Sequence, residues 1–177
     1  MADGSAHVSG VTIVPFRREY GPDFRRLNLA WIERFFAVEE PDRRMLDNPE
    51  RAIIAPGGAI FFAVDEGGSV VGTVAMIRTD HGRCELAKMA VSESHQRRGV
   101  GELLGRACID WAKANRVRSV YLETNSRLDG AIRLYERLGF RRTDSHASDY
   151  ARADVFMELM IEQDGGKFPC TRACSAE

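Results

Sequence analysis

Three strand-like segments lie close together in the middle of this chain, and they constrain its fold more than any other feature. Residues 59–65, 70–78 and 84–91 are each rich in strand-forming residues, and only short glycine-containing turns separate them. Connections this short join antiparallel neighbours, because a parallel pair of strands needs a long crossover. The sequence therefore predicts an antiparallel meander at the centre of the domain.

Further helical and strand patterns flank this meander. They are a strand at residues 11–16, helices at about 21–36 and 43–48, a helix around 103–112, a strand at 117–123, a helix at 129–138 and strands at 140–142 and 154–161. The order β-α-α-β-β-β-α-β-α-β-β predicts an α/β (α+β) fold, with helices on both faces of a mixed sheet of six to seven strands. The expected domain covers residues 11–162, between tails at residues 1–10 and 163–177.

Composition excludes several classes of protein. The chain has 25 Lys and Arg residues against 26 Asp and Glu, so it lacks the basic surface of a protein that wraps nucleic acid. Its longest uncharged stretch, residues 52–64, is too short to span a bilayer, so no membrane partner is expected. Residues 1–10 lack the apolar core of a secretion signal, which favours a cytoplasmic location.

The four cysteines predict neither a disulfide scaffold nor a metal site. Cys84 and Cys108 fall in apolar segments and are expected to be buried, so neither is a candidate nucleophile. Cys170 and Cys174 lack the second pair of ligands that a zinc site would need. No metal is therefore expected.

A glycine-bearing loop between a strand and a helix is the segment most typical of a binding site. Residues 96–101, QRRGVG, follow the third strand of the meander and open the next helix. The free N–H groups of a first helical turn bind anions, and glycine lets a ligand approach closely. A simple turn is the alternative. Glu102 stands where a P-loop needs lysine, and Leu104 where a dinucleotide fingerprint needs its third glycine, so both of those sites are disfavoured.

Two ordered motifs carry a resemblance to a known family. The loop at residues 96–101 begins five residues beyond Val91. The second motif, about thirty residues further on, consists of Ala131, Leu134, Tyr135, Gly139 and Phe140. Over about residues 11–161 the chain resembles the GNAT superfamily of acyl-CoA-dependent N-acetyltransferases. This resemblance implies a largely antiparallel sheet that is splayed between its fourth and fifth strands.

The resemblance also implies that acetyl-CoA is the cosubstrate. The residues that would hold its pyrophosphate are Gln96, Arg97, Arg98, Gly99, Val100, Gly101 and Glu102. The pantetheine arm would add like a strand to the backbone of Met89, Ala90 and Val91. Many relatives carry an asparagine at the place of Leu128, and Asn125 is the candidate to replace it.

The amine acceptor must lose a proton before it can attack, because alkyl amines have pKa values near 10. Glu85 is the first candidate for the general base and Glu123 the second. Strand alternation places Glu85 on the same face as Ala87, Met89 and Val91. The alternative for either carboxylate is a solvated residue at the end of a strand.

Tyr135 matches the family tyrosine that contacts the sulfur of coenzyme A. The resemblance implies that it protonates the leaving thiolate while a primary amine attacks directly in a ternary complex. A packed aromatic is the alternative for this residue. A non-catalytic acyl-CoA sensor with the same fold, or a phosphate-binding protein outside the family, is the alternative for the whole chain.

The family's first two helices wall the acceptor site. The corresponding residues here are Trp31, Phe35, Phe36, Glu39, Glu40 and Asp42. Residues 39–42 form an acidic break between the two predicted helices, which would suit a cationic amine, although a solvated loop explains it equally well. The sequence leaves the oligomeric state open, including a homodimer.

Overall fold

Seven strands form one mixed sheet in the computed structural model, which describes residues 10–144 and 148–162. The strands are β1 (Val11–Pro15), β2 (Ala59–Asp65), β3 (Val70–Arg78), β4 (Arg83–Val91), β5 (Ser119–Thr124), β6 (Arg141–Arg142) and β7 (Val155–Met160). Their order in the sheet is β1-β2-β3-β4-β5-β7-β6, and only the β4–β5 pair is parallel among these strands. The predicted meander and the predicted mixed sheet are both confirmed.

Helices cover both faces of this sheet, as predicted. They are α1 (Gly21–Phe35), α2 (Glu40–Asp47), α3 (Val100–Ala114) and α4 (Asp129–Arg137). Buried residues of α1 and α2, such as Phe24 and Leu46, pack with Phe62 on one side, here called the α1 face. Buried residues of α3 and α4, such as Leu104 and Ile132, pack on the opposite side, here called the α3 face.

The prediction for the second helix was wrong at its start. The acidic residues taken as a break form the first turn of α2, which begins at Glu40. A capping box explains the difference, because the Asp42 carboxylate accepts from the Glu39 N–H at 3.0 Å while the Glu39 side chain caps the backbone of Asp42. A single π-helical turn at Glu50–Ile54, closed by a bond from Ala55 N to Glu50 O, was also missed.

Strands β4 and β5 separate soon after they begin, which confirms the expected splay. They pair from Arg83–Ser119 only as far as Glu85–Tyr121. A β-bulge then bends β4 away, because Lys88 and Met89 lie opposite the single residue Val74 of β3. Lys88 lies in this bulge with a φ of 54°, in the left-handed region that favours glycine. A wedge-shaped gap therefore opens through the sheet.

The bulge also overturns one expectation about β4. Before it, Cys84 and Leu86 pack on the α3 face, so Glu85 points to the α1 face. After it, Ala90 packs on the α1 face, whereas Met89 and Val91 pack on the α3 face. The extra residue shifts the alternation by one, so Glu85 does not share a face with Met89 and Val91.

Several predictions concern groups away from the gap. Cys84 and Cys108 are buried and free, and burial raises the pKa of both thiols. Within residues 10–144 and 148–162, every helix is too short or too polar to cross a membrane. Cys170 and Cys174, with the tail predicted at 163–177, lie outside the described residues.

Candidate active site

A cavity of about 610 Å³ occupies the gap between β4 and β5. Its walls come from the end of α1, from β4, from the start of α3, from α4 and from the segment at residues 150–153. The predicted site residues that line it are Glu85, Met89, Ala90, Val91, Gln96, Arg97, Gly99, Val100, Gly101, Glu102, Glu123, Asn125 and Tyr135. Arg98 does not line this cavity and instead borders a separate depression of about 280 Å³ beside Asp65 and Glu66.

The start of α3 directs backbone N–H groups out of the first helical turn. Arg97 and Gly99 both have a positive φ, 59° and 81°, which turns the loop sharply into the helix. The N–H groups of Glu102 and Leu103 both donate to Gly99 O, at 3.0 and 3.1 Å, so helical bonding begins there. The N–H groups ahead of these two have no acceptor within the helix and carry its positive dipole end. This donor set fits a pyrophosphate.

Two predicted amide side chains bond to the protein's own backbone. Gln96 donates through Nε2 to Val91 O at 3.0 Å, which fixes the loop to the end of β4. Asn125 donates through Nδ2 to Arg152 O at 2.6 Å and accepts from the Arg127 N–H at 3.0 Å. Both residues line the cavity, and these contacts hold its walls in place.

Glu85 has the most perturbed carboxyl group of the cavity. Burial raises its pKa to about 7, and the negative charges of Glu123 and Asp149 act in the same direction, while Lys88 opposes them. A carboxylate with this pKa is divided between its two protonation states near neutrality, which suits a general base. The second candidate, Glu123, accepts a hydrogen bond from the Ser148 hydroxyl.

Tyr135 reaches the same cavity from the α3 face. It lies on α4, where its ring meets the edge of Phe140 with a centroid separation of 6.0 Å. Gly139 ends the helix with a φ of 97°, and Phe140 N donates to Tyr135 O, so the chain folds back as predicted. Burial, assisted by Cys108, raises the pKa of Tyr135 to about 12. The hydroxyl is therefore a proton donor at neutral pH.

The acidic residues of α2 do not present free negative charge to the cavity. Asp42 is fully buried, 2.8 Å from Lys88 Nζ and 2.8 Å from Arg152. Glu39 binds the same guanidinium at 2.7 Å, and Lys88 also donates to the Tyr150 hydroxyl at 2.7 Å. Burial opposes ionisation of Asp42, but hydrogen bonds from Arg152 and Lys88 outweigh it and hold the pKa of this carboxyl below its usual value. Glu39, Asp42, Lys88 and Arg152 are called the ion cluster below.

The acidic residues at positions 39–42 were the reason to expect a cationic acceptor. Because Glu39 and Asp42 are paired within the ion cluster, they no longer support that expectation. Sequence reasoning missed Lys88, Tyr150 and Arg152 as parts of the cavity wall. A lone lysine in the otherwise apolar second half of β4 was the one signal for Lys88. Tyr150 and Arg152 lie in an irregular segment, where no periodicity points to them.

Comparison with known sequences supports the family resemblance. Residues 22–140 match the model of the acetyltransferase (GNAT) family. An N-acetylaspartate synthetase of Danio rerio is 36% identical over 102 residues, which cover 57% of this chain and 36% of that protein. The chain thus spans about a third of the length of this curated relative. An uncharacterised N-acetyltransferase of Schizosaccharomyces pombe is 30% identical over 145 residues, which cover 80% of this chain and 88% of that one.

Solved structures share the fold at low sequence identity. An acetyltransferase of the GNAT family from Staphylococcus aureus matches with a TM-score of 0.78 and 22% identity, over 86% of this chain and 99% of that chain. A structure from Salmonella typhimurium, described as an acetyltransferase with its cofactor acetyl-CoA, matches with a TM-score of 0.70 and 22% identity. That match covers 92% of this chain and 100% of the other.

Proposed function

Because the chain belongs to the acetyltransferase (GNAT) family, we propose that it transfers an acetyl group from acetyl-CoA to a primary amine in a ternary complex. One structural observation gives this reaction its main support. The gap between β4 and β5 joins Glu85 of the α1 face, Tyr135 of the α3 face and the anion-binding start of α3 in a single cavity. A base, an acid and a phosphate site are what this transfer requires.

The cavity offers acetyl-CoA two kinds of contact. The pyrophosphate lies at the start of α3, where Arg97 and the free N–H groups of the first turn supply positive charge. The pantetheine arm lies along β4 at Met89, Ala90 and Val91, beyond the last pairing with β5. The acetyl-CoA in the Salmonella typhimurium structure supports this choice of cosubstrate.

The reaction then needs three proton transfers. Glu85 removes a proton from the ammonium form of the acceptor, directly or through water, and the freed nitrogen attacks the thioester carbonyl. The new C–N bond replaces the C–S bond, and the departing thiolate takes a proton from the Tyr135 hydroxyl. The second proton that the nitrogen loses as the amide forms returns to the Tyr135 oxygen, directly or through water. A backbone N–H of β4 donates a hydrogen bond to the carbonyl oxygen and stabilises the negative charge that develops on it.

Release of free coenzyme A tests the proposed function. With acetyl-CoA and a panel of primary amines, the protein is expected to form a free thiol at a rate that depends on the amine. Tyr135→Phe should lower kcat by about 100-fold, because the thiolate then leaves without its acid. The matched control is Tyr20→Phe, whose ring packs 5.2 Å from Phe62 outside the cavity and which should keep full activity. Binding of acetyl-CoA without thiol release from any amine would instead support a regulatory acyl-CoA-binding module.

A second variant tests the phosphate site alone. Gly101→Glu places a carboxylate in the first turn of α3, where it repels the pyrophosphate, and should weaken acetyl-CoA binding by at least about 100-fold in calorimetry. A Cβ at Gly101 lies 3.0 Å from the flexible end of Leu134, so the fold should survive. Gly21→Glu, in the first turn of α1 with nothing within 4 Å, is the control and should bind normally. Unchanged affinity in Gly101→Glu would show that the anion site lies elsewhere.

A further inference from the structure

We propose that the acceptor is a monoamine that carries an aryl or similarly bulky apolar group, rather than a polycation. The apolar group packs against three aromatic side chains at the end of α1, Trp31, Phe35 and Phe36, here called the aromatic wall. This inference rests on the proposed function, since it assigns the acceptor end of the same cavity. It is drawn from the shape of that wall and from the charges around it.

The aromatic wall forms one continuous apolar surface. Ring centroids lie 5.7 Å apart between Trp31 and Phe35, 5.9 Å between Trp31 and Phe36, and 6.3 Å between Phe35 and Phe36. All three side chains line the cavity. Phe35 nevertheless keeps 37% of its surface exposed, which makes it one of two large exposed apolar side chains in the described part of the chain. An apolar group in the cavity removes this surface from water.

Two carboxylates that were expected to attract a cation are already paired. Glu39 and Asp42 are held in the ion cluster, and Glu40 is absent from the cavity lining. Glu85 and Glu123 both line the cavity, and Glu123 accepts a hydrogen bond from the Ser148 hydroxyl. A substrate with one amine matches this arrangement, because the carboxylates of Glu39 and Asp42 already pair with Lys88 and Arg152.

Guanidinium groups already lie over the rings of the aromatic wall. The guanidinium carbons of Arg127 and Arg152 lie 5.9 and 5.8 Å from the centroid of Phe36, and that of Arg34 lies 5.3 Å from Phe35. The ring faces that a second ammonium group would seek are therefore shared with guanidinium groups. A second ammonium group gains little from ring faces that guanidinium groups already occupy, whereas a neutral ring or alkyl chain can pack against the remaining apolar surface.

A matched pair of amines tests the inference. 2-Phenylethylamine and ethylamine both have pKa values near 10, so they differ mainly in apolar surface. We expect kcat/KM to be at least about tenfold higher for 2-phenylethylamine, and spermidine to be poorer than either. Phe35→Ala should lower kcat/KM for 2-phenylethylamine at least fivefold more than for ethylamine. Met160→Ala, the other exposed apolar side chain and one outside the cavity, should change neither value.

The outcomes separate the two proposals. A preference for spermidine, or equal losses for both monoamines in Phe35→Ala, overturns the inference and leaves the acetyltransferase function in place. Thiol release with another amine of the panel but with neither monoamine overturns this inference alone, whereas no thiol release with any amine of the panel contradicts the proposed function as well. A preference for 2-phenylethylamine that Phe35→Ala removes and Met160→Ala keeps supports both.

Discussion

Glu85→Gln is expected to lower kcat/KM for the acetylated amine by about 100- to 10,000-fold, the range for loss of a positioned general base. The glutamine side chain keeps the shape of glutamate but cannot accept the proton of the ammonium group. Burial of this position has already raised the pKa of the carboxyl to about 7. Steady-state thiol release with saturating acetyl-CoA measures the loss, and calorimetry should show that acetyl-CoA still binds.

The pH profile identifies which carboxylate acts. In the unmodified protein kcat/KM should rise as pH increases through about 7, because Glu85 is active only after it loses its proton. This limb should be absent from Glu85→Gln. Glu123→Gln should move it to lower pH, since the charge of Glu123 raises the pKa of Glu85. If Glu123→Gln instead abolishes the limb and Glu85→Gln retains it, Glu123 is the base.

Asp42→Asn is expected to lower the free energy of unfolding by about 3–5 kcal/mol, because it leaves buried positive charge without its partner. Lys88 is only 6% exposed and has Asp42 as its carboxylate partner, whereas Arg152 keeps Glu39. In a chain of this size the change corresponds to a fall in Tm of about 6–20 °C. Urea unfolding followed by circular dichroism measures the free energy directly.

Two further variants show whether burial causes this loss. Asp47→Asn, on the same helix, removes a surface pair with Arg25 whose side chains are 61% and 52% exposed, and should cost less than about 1 kcal/mol. Lys88→Met combined with Asp42→Asn removes both buried partners and should restore part of the lost stability. Equal effects of Asp42→Asn and Asp47→Asn would mean that the ion cluster contributes little.

The proposed phosphate site is predicted from sequence alone because it is built from consecutive residues. Residues 96–101 act through their backbone, so glycine positions and the strand–helix junction are enough to locate it. The ion cluster could not be predicted, because Asp42 is 46 residues from Lys88 and 110 from Arg152. Only tertiary folding shows that the acidic motif of α2 is neutralised.

The element order could likewise be predicted, because periodicity and short turns depend on local sequence. The bulge at Lys88 could not, since nothing in an unbroken strand pattern marks where one extra residue enters. That single residue decides which face each later side chain of β4 occupies. It is the physical reason why Met89 and Val91 lie on the opposite face from Glu85.

The gap between β4 and β5 also bears on self-association. A strand edge without a partner normally invites another chain to pair with it, and exposed edges lead to aggregation. The unpaired stretch of β4 is an edge of this kind, but it lies inside a cavity walled by α1 and α4. A single extended group such as the proposed pantetheine arm fits beside this edge, whereas a second polypeptide strand with its own neighbours does not. The molecule can therefore keep an edge open for the proposed pantetheine arm without exposing it to other copies of itself.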